Sequence, residues 1–471
     1  MPTFFLTHWS LLGFSLLFIG FSIYFRQKNN SKLAILFLCF AALLLRIFVS
    51  KDGFLHEWDE RYHALVAKNM LDDFLTPMLY KNPILPYDFK QWASNHIWVH
   101  KQPLPLWSMA LSLKIFGVST FAIRIPSIIL STILVPVVYE IGRMMYNRKV
   151  AYYAAFLCAI HGLIIEQTGG RVATDHIDIF FLCFIAFAVL TTLKFHASNH
   201  IKYLFFTAIF TACAILSKWL PALIVLPIWC LSANVNDRNW KSILVQLLGL
   251  SFLIAVLVIP WQLYIHQRWP LEAAWESSYN RLHIFEALGS EKGGPFYHVI
   301  KLTIIFGAFI IVPLLWLLWK SITTKNKNLW ILSVWIFIPL LFFSFVKTKM
   351  QGYLLFTAPA IFVLTAFFTV YLRRINLKDK FKMPVYILIL LLFSFPLIYS
   401  IDRLKIMENN SQEGQSFKTE YAQYDEKTII FNEPRSIEAM FYSNCAAVYP
   451  YTPSKAYLSK LKADGYRFII K

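Results

Sequence analysis

Leu33-Ala-Ile-Leu-Phe-Leu-Cys-Phe-Ala-Ala-Leu-Leu-Leu-Arg-Ile-Phe-Val-Ser50 runs, after a three-residue polar turn, into Phe54-Leu-His-Glu-Trp-Asp-Glu-Arg-Tyr-His63. The first stretch approaches the roughly 20 apolar residues with which a helix crosses a bilayer. The second crowds acids, bases and aromatics into ten positions. The apolar pattern recurs near 8–25, 123–142, 150–166, 172–194, 203–217, 219–232, 242–265, 298–319, 329–346, 351–372 and 383–400. With 33–50 this predicts about twelve spans. No basic stretch precedes run 8–25, so it reads as a span and not as a leader.

Composition agrees. Of 471 residues, 58% are hydrophobic and 15% charged, against about 45–50% and about 25% in soluble domains. Secreted disulfide scaffolds, disordered tails and ordinary soluble enzymes are poor readings. The net charge of +19 does not point to nucleic acid, because Lys and Arg gather in the cytoplasmic loops of membrane proteins. Five of the six cysteines lie in apolar runs, and there is no CxxC spacing for a metal.

Short basic loops alternate along the chain: Arg26–Lys32, Arg143–Lys149, Lys194–Lys202, Arg238–Lys241, Lys320–Lys327 and Arg373–Lys382. They are assigned to the cytoplasm. The outer side then receives loop 51–122, loop 266–297 and the tail 401–471, with a transmembrane domain over 1–400. The tail reads as a small α/β domain, with strands near 428–431, 446–449 and 466–470 and a helix over 436–442.

The unusual ionisable residues fall on that outer side. Asp59, Tyr62, His63 and Val66 share a helical face, and Tyr62 to Leu75 reads as an amphipathic surface helix. An acid pair such as Asp59-Glu60 is also an ordinary helix cap. Lys101 precedes Pro103 and Pro105 and is held on stiff backbone, which suits a phosphate, although a lysine snorkelling to headgroups has the same pattern. His100 beside Glu57 or His96 leaves a divalent metal open, while a hydrogen-bonding histidine is the plainer reading. Asp175 and Asp178 share a face and are expected to pair with Arg171 or Lys218, or to hold acceptor hydroxyls. Tyr353 fits an interfacial aromatic belt.

The order Asp59-Glu60-x-Tyr62, His100-Lys101-x-Pro103, Phe116-Gly-Val followed by Arg124-x-Pro126 resembles the protein O-mannosyltransferase and aminoarabinose transferase superfamily. Gly170-Arg171-Val-Ala-Thr-Asp175, Arg281 with Gly294-Pro-Phe-Tyr297, and Lys349-Met-Gln-Gly-Tyr353 with Pro359 continue the likeness over about residues 35–372. The family commonly has Lys-Pro-Pro where Gln102 intervenes here, and its aminoarabinose branch often has Glu where this chain has His100.

The resemblance implies a polytopic α-helical protein of the GT-C fold that transfers a sugar, with inversion, from a polyprenyl-phosphate donor to a lipid acceptor such as lipid A, or to a protein. It places the active site at the outer face of the cytoplasmic membrane. Asp59 and Glu60 are then the catalytic pair, with Asp59 as the base, and Lys101, Arg281, Lys349 and Tyr353 bind the donor phosphate. Tyr62, His100, Arg171, Asp175 and Asp178 serve the acceptor or the structure. Lys101, Arg281 and Lys349 are expected to converge on one phosphate. A lipid or oligosaccharide transporter is the alternative, but it keeps carboxylates deep in its spans, where few are seen here.

Overall fold

The computed structural model describes residues 7–82, 84–173, 175–233, 239–288, 292–376 and 378–471. Among these residues, nine helices are long and apolar enough to cross a membrane, and eleven if each of two bent pairs is one span. The protein is a multi-pass membrane protein with fewer clear spans than the expected twelve. Run 219–232 is too short: it folds as a 3-10 turn, Leu220–Ile224, and one short helix, Val225–Ser232. Run 298–319 is bent by 116° between Tyr297–Ile305 and Ala308–Thr324. Gly307 supplies the positive φ (91°) of that bend.

Asp175–Ser198 and Gln351–Leu372 form the centre of the bundle, with 83% and 89% of their apolar windows buried. His8–Gln27, Trp240–Arg268 and Asp379–Ile401 lie outside them, and their exposed Leu, Ile and Phe side chains face lipid.

Arg46 is an exception to the apolar interior. It lies within Ser31–Ser50 and is fully buried. Nearby, Arg148–Ile160 breaks at His161 and continues, bent by 47°, as Gly162–Thr168. A break leaves the last carbonyls of the first helix without their usual donors. Arg46 supplies donors to Ala159 O at 2.9 Å and Cys158 O at 3.4 Å, as well as to Ser131 Oγ at 3.0 Å. The guanidinium splints the bend.

The first long loop carries the surface helix Asp59–Asn69 and then Pro103–Phe116. The second carries Pro270–Phe285. The tail has three parallel strands, β1 (Thr428–Phe431), β2 (Ala446–Val448) and β3 (Arg467–Ile470), in the order β2-β1-β3. Ser436–Tyr442 and Lys455–Ala463 make the crossovers.

The tail shares one hydrophobic core with the first loop. Leu65, Met70, Trp98 and Met109 pack in the same cluster as Ile429, Phe431 and Phe441. Polar contacts reinforce it: Asn82 Nδ2 donates to Tyr466 Oη at 3.1 Å, and Lys68 donates to the carbonyls of Met440, Phe441 and Ser443 at the end of Ser436–Tyr442.

Candidate functional site

Asp59 opens its helix, where a carboxylate is favoured by the unpaired amides of the first turn. Trp58 before it has φ 70° and ψ −126°, a conformation that costs a bulky residue about 1–3 kcal/mol. Such strain persists only where the surroundings fix it. Here it turns the chain sharply into the helix, and Trp58 itself remains exposed. The Asp59 side chain is 17% exposed, with Lys101 Nζ 4.0 Å from its Oδ2.

Lys101 reaches that position because the chain straightens before Pro103–Phe116. Gln102 is extended at ψ 153°, as a residue preceding proline must be. Its side chain accepts from Gln262 Nε2 at 3.0 Å, which ties the junction to a span.

His100 faces the second loop. Its Nδ1 lies 2.9 Å from Glu276 Oε2. Its ring stacks on Trp92 with centroids 5.1 Å apart and planes 13° from parallel, while Trp98 and Tyr279 approach at 5.5 and 5.8 Å. Burial, then the Lys101 charge, hold the His100 pKa below its ordinary value despite Glu276. The other oxygen of Glu276 is enclosed without a hydrogen-bond partner among the described residues. Sequence reading missed Glu276. Its one signal was a place on the same helical face as Tyr279, three residues on.

Below Asp59 is a dense ionic support. Glu60 is fully buried, and Arg124 donates to both its oxygens, Nε at 2.7 Å and Nη2 at 2.9 Å. The His56 amide donates to Glu60 Oε2 at 2.6 Å, and His176 Nε2 lies 3.3 Å from Oε1. Burial alone would raise the Glu60 pKa; Arg124, His56 and His176 together hold it well below the usual carboxylate range. Gly170, at φ 75°, leaves room for this carboxylate, since an added Cβ would meet Glu60 Oε1 at 2.2 Å. Arg171 forks onto Asp52 at 2.8 and 3.0 Å and donates to the carbonyls of Arg403 and Lys405.

Asp175 takes a partner the sequence did not suggest. Its carboxylate lies 3.0 Å from His63 Nδ1, with both side chains fully enclosed. Asp178 does pair with Lys218, and accepts from Gln167 Nε2 at 3.1 Å. Tyr62 is buried against Trp92, with centroids 4.8 Å apart, so it belongs to the aromatic packing around His100.

The expected phosphate cations differ in state. Arg281 stands exposed on Pro270–Phe285, the helix of Glu276 and Tyr279, with Nη2 3.5 Å from Ser278 Oγ. Lys349 is buried, and its ammonium donates to Phe343 O at 2.8 Å and Ser344 O at 2.7 Å, capping Lys327–Phe345. The expectation of an open cation fails there because helix-end carbonyls claim it. Tyr353 lies under the Lys218 ammonium, 4.9 Å from its ring centre.

The Lys101 charge reaches Tyr279 and His283, and the amides of Lys347 and Thr348 donate to Ile284 O and His283 O, both at 3.1 Å. Among the described residues no three His, Cys, Asp or Glu side chains could together hold a metal ion. Neither Glu57 nor His96 is the partner of His100; His96 bonds the Tyr80 carbonyl.

Known proteins share this arrangement of spans and loops. ArnT from Cupriavidus metallidurans, solved bound to undecaprenyl phosphate, superposes with a TM-score of 0.66 over 91% of this chain and 88% of that one, at 13% identity. An oligosaccharyltransferase from Archaeoglobus fulgidus, in its apo form, superposes with a TM-score of 0.58 over 88% and 64%, at 14% identity. The sequence profile of the family described as dolichyl-phosphate-mannose-protein mannosyltransferase matches residues 100–264.

The chain has the GT-C fold. Its sequence is also similar to undecaprenyl phosphate-alpha-4-amino-4-deoxy-L-arabinose arabinosyl transferases. Number 2 of Proteus mirabilis is 23% identical over 376 residues, 76% of this chain and 62% of that protein. Number 1 of Pseudomonas fluorescens is 24% identical over 288 residues, 56% and 49% of the respective lengths. The chain thus spans about half to three fifths of the length of these relatives.

Proposed function

We propose that this GT-C protein is an inverting glycosyltransferase of the bacterial cytoplasmic membrane, working at its outer face. A sugar on a polyprenyl-phosphate donor passes to an envelope acceptor, a glycolipid such as lipid A or a protein. The observation that carries the reading is the pairing of Asp59 with Lys101 at 4.0 Å, next to the strained Trp58 and within the wall formed by Pro270–Phe285. The relatives' names support the donor class, and the basic loops support the sidedness.

In this reading Asp59 takes the proton from the acceptor hydroxyl as its oxygen attacks the anomeric carbon. The bond from that carbon to the phosphate oxygen breaks, and polyprenyl phosphate leaves with the electron pair and one more negative charge. Lys101 and Arg281 meet that charge. A phosphate leaves without an acid to protonate it, so cations suffice. Lys349 and Tyr353 shape the far wall, Glu60 is a positioning residue beneath Asp59, and Arg171, Asp175 and Asp178 hold the scaffold.

The test offers purified protein a panel of polyprenyl-phosphate sugars with membrane extract and identifies products by mass spectrometry. A glycosylated lipid or protein, lost in Asp59→Asn, is expected. Movement of intact donor across vesicles with no glycosylated product would establish the transporter reading instead.

A further inference from the structure

Away from Asp59, the tail and the first loop line a half-open cavity of about 420 Å³. Its walls include Lys68, Ser119, Thr120, Lys418 and Asn444, and its lining holds two lysines and no acid. Lys68 is the last basic residue of Asp59–Asn69. Nine residues of helix separate it from Asp59, about 14 Å at 1.5 Å per residue. The carbonyls of Met440, Phe441 and Ser443 take its three N–H donors, so like Lys349 it contributes a charge to its surroundings and no free donor, which leaves Lys418 as the lysine that can bond a ligand directly. Burial pushes the Lys68 pKa down to about 8, so the charge lies in a setting that favours a nearby anion. Lys418 stands exposed on Glu408–Tyr421 at the rim.

The height of the cavity is fixed by the chain. Thr120 is the first residue of the span Thr120–Met145, so the cavity opens where a span leaves the membrane. Val118 lines it and is 43% exposed, and its chain neighbours Ile115, Phe116 and Phe121 are exposed at 63%, 60% and 38%. Cations and hydroxyls inside, with apolar side chains along the lower lip, match a molecule that is anionic at one end and oily at the other.

We propose that this cavity binds the phosphate-bearing headgroup of an anionic membrane lipid, with the acyl chains lying against Pro103–Phe116 and the start of Thr120–Met145. A soluble phosphate would use Lys418 and the hydroxyls and gain nothing from the apolar lip. The bound lipid would join the tail to the membrane beneath it, since Lys418 and Asn444 belong to the tail, Ser119 caps the span and Thr120 begins it.

The experiment places the full chain in phosphatidylcholine nanodiscs containing a little phosphatidylglycerol analogue with a photoreactive group beside its phosphate. Crosslinks are expected in the peptides containing 118–120 and 415–444. Lys418→Gln should lower their yield about fivefold, the contribution of one lysine near an anionic headgroup. Asn444→Trp, made at an exposed position, should fill the cavity and abolish them. Soluble glycerol phosphate should leave labelling in place. Equal labelling by a phosphatidylcholine analogue, or unchanged labelling in both variants, would overturn the proposal. Displacement by glycerol phosphate would assign the cavity to a free phosphate and overturn the lipid assignment.

Discussion

At Asp59 and Glu60 two adjacent carboxylates have opposite surroundings. Asp59 is partly open, with one lysine at 4.0 Å; Glu60 is sealed under a bidentate arginine. Asp59→Asn is therefore expected to keep donor binding and lower single-turnover transfer to a hydroxyl acceptor by about 10²–10⁴-fold, the usual worth of a general base. Retention of most of the turnover would remove Asp59 from that role. An acceptor that is itself a phosphate is already ionised and should show a smaller loss. Arg281→Ala should raise KM and lower kcat together, because the phosphate is held in the ground state and gains charge as it leaves. Arg281→Lys should recover only part of each, since a point charge does not reproduce a planar fork. Sequence order and residue type were enough to single out Asp59 and Lys101. Glu276 and the His63–Asp175 pair were not legible, because their partners lie 176 and 112 residues away and nothing local distinguishes them.

The ionic support below the surface helix behaves as a unit. In the folded protein Arg124, His56 and His176 hold the Glu60 carboxyl well below the usual carboxylate range. In an unfolded chain it would take up a proton at higher pH. Its contribution to stability is thus complete above about pH 4.5 and is lost as pH falls from there toward the folded-state value. Glu60→Gln should destabilise the protein by about 3–5 kcal/mol, the cost of leaving a buried arginine unmatched, and should flatten the acid limb of a thermal-unfolding profile in detergent. An unchanged acid limb would place the acid sensitivity elsewhere. Arg46→Leu should expose the opposite defect, carbonyls at a helix break without donors, at about 1–3 kcal/mol for each. Arg46→Lys should restore part of it in the same thermal assay. Helices were readable from apolar runs, but their breaks were not. A run such as 150–166 carries a single glycine at the bend, Gly162, which does not by itself mark a break, and the donors that the broken turn needs come from an arginine on a distant span.

Across the whole molecule, the long loops and the tail form a single cap on one end of the bundle. Cysteines placed at Lys90 and Lys28 should report opposite sides: an impermeant reagent added outside intact cells should label Lys90→Cys and leave Lys28→Cys unmodified. The reverse pattern would put the Asp59 region in the cytoplasm. Both positions are exposed, whereas Asn95 in the same loop is fully buried and would be a poor reporter. The sequence indicated strands and helices in the tail. It could not indicate that Ile429, Phe431 and Phe441 complete the core under Leu65 and Trp98, because local periodicity records which face is apolar and not which distant face covers it.

The splint at Arg46 also constrains how the chain is made. Its carbonyl acceptor at Ala159 lies 113 residues downstream. At about 5–20 residues per second of synthesis, that distance is about 6–23 seconds of translation. Through that interval a guanidinium has entered the insertion machinery without the carbonyls that will hold it. The second span must wait in a wet or protein-lined environment, or remain shallow, until the bent helix arrives. Nascent chains stalled before residue 148 should therefore keep Ser31–Ser50 crosslinkable to the translocation channel, and chains stalled after residue 170 and clear of the ribosome should release it to lipid. In Arg46→Leu the release should come early, so that the residue which delays insertion is the same one that later locks the bundle.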